Sequence, residues 1–169
     1  GRNDDEIFNL IEYARQRDVA MRFIELMPIS STDVLTDDNF LAVETVKSWI
    51  RQQYELVPLS GYKGNGPAEY FTIPSLPTPG GGTIKLGFIG AMSNLHFCDT
   101  CNKLRLTPDG KLRPCLGHHD EYDLKQVLRS SADDVELRRV FELTIARKPQ
   151  QHEFRENYQP GRRMVAIGG

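Results

Sequence analysis

Cys98, Cys101 and Cys115 are the only cysteines of a 169-residue chain, and they fall in one short stretch with the spacing C-x2-C-x13-C. An odd number of thiols set this close suits metal ligation in a reducing compartment better than a secreted disulfide framework. Three thiolates leave two metal chemistries open. A zinc ion takes a fourth ligand, which His118 offers because Cys115-Leu116-Gly117-His118 is a C-x2-H. A cubane iron-sulfur cluster instead keeps one iron without a protein thiolate. A redox dithiol at Cys98 and Cys101 is the third reading.

The residues between the thiols carry charge. Lys103 and Arg105 follow Cys101, and in an extended segment both point to the face opposite Leu104. Beside an iron with an open position, such a pair holds a polyanionic substrate; without a metal it is a solvated strand face. The wider chain is near neutral, with 21 Lys and Arg against 23 Asp and Glu, yet its charge is segregated. Residues 1–60 are acidic, whereas Lys103, Arg105, Lys111 and Arg113 stand against Asp109 alone in the thiol segment. A short basic stretch suits one small anion and not a nucleic acid, which recruits basic charge over a whole domain.

These residues need elements to place them. Leu104-Arg105-Leu106-Thr107 and Lys111-Leu112-Arg113 flank Pro108-Asp109-Gly110, which predicts a hairpin that returns Cys115 toward the C-x2-C. Upstream, Asn3 and Glu6 mark a helix start before Ile7, Leu10, Ile11 and Ala14, and residues 19–27 form a mostly apolar strand ended by Pro28, as in an α/β unit with a buried parallel strand. A second helix is expected over about 40–54, with Asp37 and Asp38 favouring its start. The Pro- and Gly-rich stretch 55–90 predicts antiparallel strands near 69–73 and 83–89 joined by irregular loops. Two helices follow, about 124–129 and 133–147. The apolar fraction of 39% is enough for a buried core, and no run approaches the ~18 residues of a membrane helix. The chain is expected to be soluble and cytoplasmic, with no membrane partner.

Residues 97–116, from Phe97-Cys98 through Asn102-Lys103-Leu104-Arg105-Leu106 to Arg113-Pro114-Cys115-Leu116, closely resemble the C-terminal cluster motif of the molybdenum cofactor biosynthesis protein A family, radical S-adenosylmethionine enzymes also called GTP 3',8-cyclases. Arg22-Phe23-Ile24-Glu25-Leu26-Met27-Pro28 resembles the family's last barrel-strand motif, and Gly168-Gly169 its double-glycine tail. The resemblance implies a 4Fe-4S cluster on Cys98, Cys101 and Cys115 whose open iron takes the purine of GTP. It implies GTP binding by Lys103, Leu104 and Arg105 with Arg22 near the triphosphate, an S-adenosylmethionine contact at Met27, and a tail, Gly168 and Gly169, reaching into the active site. Lys103 stands where many members have Arg, keeping the charge but losing the bidentate fork. Arg162 and Arg163 are expected to guide the tail across the acidic residues 1–60.

The implied fold is α+β: the last α/β units of an incomplete TIM-type barrel over 1–54, then an antiparallel-sheet and helical domain over 55–169 that holds the cluster. The implied reaction converts GTP, with S-adenosylmethionine, to (8S)-3',8-cyclo-7,8-dihydroguanosine 5'-triphosphate. That lyase chemistry also requires a second 4Fe-4S cluster on a C-x3-C-x2-C motif, and this sequence has no cysteine before Cys98. The radical-generating N-terminal half is therefore expected elsewhere, with no catalytic residue in this chain and no turnover by it alone. A homodimer for the intact enzyme and a downstream cyclic pyranopterin monophosphate synthase are the further expected partners. The rival readings are a zinc knuckle that binds a nucleotide or a protein, and the auxiliary-cluster domain of another radical enzyme.

Overall fold

The computed structural model describes residues 2–29, 39–62, 66–99, 101–130, 133–156 and 158–167. The chain is mixed α and β and divides into two compact units, Gly1–Leu26 with Leu35–Phe97, and Met27–Val34 with Cys98–Gly169. Gly168 and Gly169, the expected tail, lie outside the described residues, as do Asp37 and Asp38.

In the first unit, α1 (Ile7–Gln16) and α2 (Val43–Arg51) accompany a four-stranded sheet of β1 (Met21–Ile24), β2 (Val57–Pro58), β3 (Glu69–Pro77) and β4 (Thr83–Ile89), in the order β1-β4-β3-β2. β3 and β4 are antiparallel, as their spacing predicts, while β1 runs parallel to β4 with Met21 opposite Leu86 and Phe23 opposite Phe88. Alternation then decides what each face does. Phe23, Phe71, Ile73, Ile84, Leu86 and Phe88 share one face and meet Ile7, Ile11, Val43, Val46 and Ile50 of the helices in the core. Each such side chain, once fully buried, contributes about 1.5–3 kcal/mol.

The first strand differs from expectation in its burial. A strand buried on both faces is predicted from the apolar run 19–27, but β1 is four residues long at the sheet edge and alternates, with Arg22 and Ile24 exposed. One neighbour strand and one helix-covered face leave its other face open. The N-terminal helix also starts otherwise than predicted: a 3-10 turn, Asp4–Glu6, precedes α1, and Asn3 makes no side-chain cap. Three acidic side chains in that turn meet the positive end of the helix dipole instead.

In the second unit, β5 (Arg105–Leu106), β6 (Lys111–Arg113) and β7 (Tyr122–Asp123) form an antiparallel sheet, followed by α3 (Leu124–Arg129) and α4 (Asp134–Ala146). The β5–β6 hairpin is the predicted one, and Gly110 at its turn has φ +86°, a conformation that favours glycine. Asp123 and Asp133 cap the two helices by accepting from Gln126 N (2.7 Å) and Glu136 N (2.9 Å). Among the described residues no helix is long and apolar enough to cross a membrane.

Candidate functional site

The thiols sit on backbone whose shape follows from local sequence. Cys98 and Cys101 close a turn in which Cys101 N donates to Cys98 O at 3.0 Å, and the hairpin carries the chain back through buried Pro114 to Cys115. All three are half-buried and none is in a disulfide. Burial pushes the Cys115 thiol up; the negative charges of Cys98 and Cys101 push the same way, while the Gly117 backbone and Lys148 oppose them. Among the described residues no three His, Cys, Asp or Glu side chains converge closely enough to hold a single metal ion. Thiol-only donors shared by one unit fit the chemistry of an iron-sulfur cluster, whose ligands bind different irons.

His118 does not complete a zinc set here. Its Nδ1 lies 3.2 Å from Asp120 Oδ2, without a well-directed hydrogen bond, and its Nε2 lies 3.1 Å from Glu153 Oε1. Both ring nitrogens face carboxylates, and the carbonyl of His118 accepts from Arg113 Nη2.

A residue without a sequence signal ties the thiol segments together. Lys148, just beyond α4, donates to the carbonyl of Lys103 at 2.9 Å and to that of Pro114. These carbonyls belong to the segment after Cys101 and to the residue before Cys115, so one ammonium spans the two arms of the site. In the sequence, Lys148 reads only as a favourable charge at a helix end. Gly117, two residues beyond Cys115, is equally constrained: a Cβ there would lie 2.6 Å from Phe154 Cε1 and 2.9 Å from His152 Cβ.

The basic segment separates into two kinds of residue. Lys103 is exposed, and Leu104 and Arg105 are half-buried; the Arg105 side chain has no acidic partner among the described residues. Lys111 and Arg113, in contrast, are turned inward to Glu121 at 3.5 and 3.4 Å, and Arg113 is only 2% exposed. Two of the four cations thus share a single carboxylate within the fold. Arg162 joins this network, bonding Glu121 and Asp109. Arg113, His119, Glu121, Gly161 and Arg162 line an open cleft of about 450 Å³.

In the first unit, Arg22 projects from the open face of β1, its Nε donating to the Tyr70 hydroxyl at 2.8 Å. Met27, three residues beyond β1 and already counted in the second unit, is half-buried, its carbonyl accepting from Ile29 N at 2.8 Å. Between them, Glu25 is 1% exposed and accepts from Val43 N (3.0 Å), Met92 N (2.7 Å), Ser93 N (2.8 Å) and the Ser93 hydroxyl. One carboxylate therefore joins the end of β1, the start of α2 and the turn after β4. The cap of α2 comes from Glu25 just past a distant strand, which accounts for a start at Val43, three residues later than the sequence predicts.

The fold is that of an α+β protein whose three cysteines lie in one unit, on a turn and just past a returning hairpin. A family model described as Molybdenum Cofactor Synthesis C matches residues 19–154, and the chain belongs to that family. It is similar to proteins named GTP 3',8-cyclase from Moorella thermoacetica, at 41% identity over 169 residues, and from Syntrophomonas wolfei, at 38% over 171 residues; each match takes in 100% of this chain and 50% of the relative. A third, from Desulforamulus reducens, is 39% identical over 170 residues with the same shares. The chain spans about half the length of the curated relatives it matches.

Proposed function

We propose that this chain is the substrate-cluster half of a GTP 3',8-cyclase, a cytoplasmic lyase of molybdenum cofactor biosynthesis. The observation that carries the reading is the three-thiol turn and hairpin with Lys103, Leu104 and Arg105 between its arms. Cys98, Cys101 and Cys115 hold a 4Fe-4S cluster, with Lys148 setting the separation of the arms. When bound, that cluster offers an iron without a protein thiolate to the purine of GTP. Arg105 and Lys103 supply positive charge for the anionic part of the nucleotide, with Arg22 of β1 assisting. Met27 contributes packing for S-adenosylmethionine. Gly168 and Gly169 reach the active site as a tail.

Residues 1–54, with α1, β1 and α2, are in this reading the end of a radical S-adenosylmethionine barrel. Generation of the radical and its cluster belong to the remainder of that barrel, so this chain with dithionite, S-adenosylmethionine and GTP forms no 5'-deoxyadenosine. The intact enzyme is a homodimer that turns GTP into (8S)-3',8-cyclo-7,8-dihydroguanosine 5'-triphosphate and feeds a cyclic pyranopterin monophosphate synthase.

Anaerobic reconstitution tests the assignment. The protein is expected to take up about four iron and four sulfide per chain, and each Cys→Ser variant to lose the cluster. A stable single zinc that is lost on His118→Ala would instead establish a zinc knuckle.

A further inference from the structure

The sheet register places Arg22 of β1 opposite Gly87 of β4, and Gly87 opposite Tyr70 of β3. These residues form one row across the face of the sheet that points away from the core. Neighbouring strands lie about 4.8 Å apart, so Arg22 must cross the whole width of β4 to reach Tyr70. Gly87 makes the crossing possible: a Cβ there would lie 3.0 Å from Tyr70 Cε1 and 3.1 Å from Arg22 Cγ. At the far side, the Arg22 Nε donates to the Tyr70 hydroxyl at 2.8 Å, and the guanidinium carbon stands 5.9 Å from the Tyr70 ring centre. Tyr70 is itself held, 8% exposed and packed edge-on against Tyr62 with ring centres 4.7 Å apart.

The consequence lies in the donors that remain. A guanidinium has five N–H groups in a planar fork, and the Tyr70 contact uses the one on Nε. Nη1 and Nη2 meet no acceptor among the described residues, and the side chain is exposed. The strand positions of this face, Arg22, Ile24, Tyr70, Thr72, Thr83, Lys85, Gly87 and Ile89, include no carboxylate that would compete. A fork anchored at its Nε and open at both ends is a receptor for a tetrahedral oxyanion.

We propose that Tyr70 is a positioning residue that, across Gly87, presents the two terminal nitrogens of Arg22 to a phosphate group of the bound nucleotide. The inference deepens the reading of Arg22 given under Proposed function and rests on it. The hydroxyl of Tyr70 touches no substrate; it sets the orientation of the group that does.

Calorimetry of the anaerobically reconstituted protein with GTP and with guanosine separates phosphate recognition from purine recognition. Tyr70→Phe keeps the ring and is expected to weaken GTP binding roughly fivefold, the scale of one positioned hydrogen bond, with guanosine binding unchanged. Gly87→Ala, which closes the crossing, is expected to act in the same direction. The double variant Arg22→Gln/Tyr70→Phe is expected to bind GTP no more weakly than Arg22→Gln alone. If Arg22→Gln binds GTP as the parent does, the reading of Arg22 falls and this one with it. If Arg22→Gln is weakened while Tyr70→Phe and Gly87→Ala are not, positioning alone is refuted. Equal losses for GTP and guanosine in Tyr70→Phe also refute it, since they mark general damage to the fold.

Discussion

Arg162 holds Asp109 by two contacts, 2.8 Å from Nη2 and 3.0 Å from Nη1, and so fastens the C-terminal segment to the turn of the thiol-bearing hairpin. The same guanidinium bonds Glu121. Through these bonds Arg162 is the first cause that lowers both carboxyls below their usual values, and it is itself pushed up in return.

The sign of the pH effect follows. Carboxyls lowered in the folded state bind fewer protons there than in the unfolded chain, so they stabilise the fold above about pH 4 and lose that contribution as the pH falls through their folded values. The thermal midpoint is expected to drop on acidification below about pH 4, and Arg162→Gln to flatten that drop. Parallel acid-side curves for the variant and the parent would remove Arg162 from the explanation. Because Asp109 is open to solvent, added salt weakens the effect.

Glu25 is the corresponding anchor of the first unit. Glu25→Gln turns an amide N–H₂ toward at least one of the donors from Val43, Met92 and Ser93, leaving a buried N–H without an acceptor. Such a change is expected to cost about 3 kcal/mol in urea unfolding. A loss below about 0.5 kcal/mol, the size of an ordinary surface substitution, would show that the network relaxes without harm.

Lys148 predicts a local effect on the thiol site. In Lys148→Met the carbonyls of Lys103 and Pro114 lose their shared donor, and the reconstituted cluster is expected to be stripped by a chelator several times faster. Lys148→Arg, which can still donate to both carbonyls, is expected to recover most of the lifetime. Absorbance of the cluster over time is the measurement, and equal lifetimes for Met and parent would exclude the clamp.

Arg105 predicts an effect on ligand alone. A charge-assisted contact is worth about 1.5–3 kcal/mol, so Arg105→Ala is expected to weaken GTP binding by roughly tenfold or more. The Arg113→Ala change provides the contrast. Arg113 is buried against Glu121, and its removal is expected to lower the thermal midpoint before it alters binding.

Elements fixed by neighbouring residues were legible in the sequence. Asp109-Gly110 announced the β5–β6 hairpin, and Asp123 and Asp133 sit at the starts of α3 and α4 because a short carboxylate there accepts from the first helical turn. Elements fixed by distant partners were not. β2 and β7 are two-residue strands that exist only through pairing with β3 and β6, and no periodicity can reveal them. The α2 cap comes from Glu25, and the arms of the thiol site are joined by Lys148. Lys111 and Arg113 illustrate the limit from the other side: their charge is plain in the sequence, but only Glu121 shows that it is directed inward.

The parallel pairing of β1 with β4 also sets an order of assembly. β3 and β4 are joined by a short turn and meet early, whereas Met21 must find Leu86 across a large loop whose closure is entropically costly. The β3–β4 hairpin therefore acts as the template, and β1 docks onto its finished edge. In refolding kinetics, Leu86→Ala is expected to slow folding, while Phe23→Leu mainly speeds unfolding. β1 is the strand that carries Arg22, so its bond to the Tyr70 hydroxyl closes only after the hairpin edge has formed.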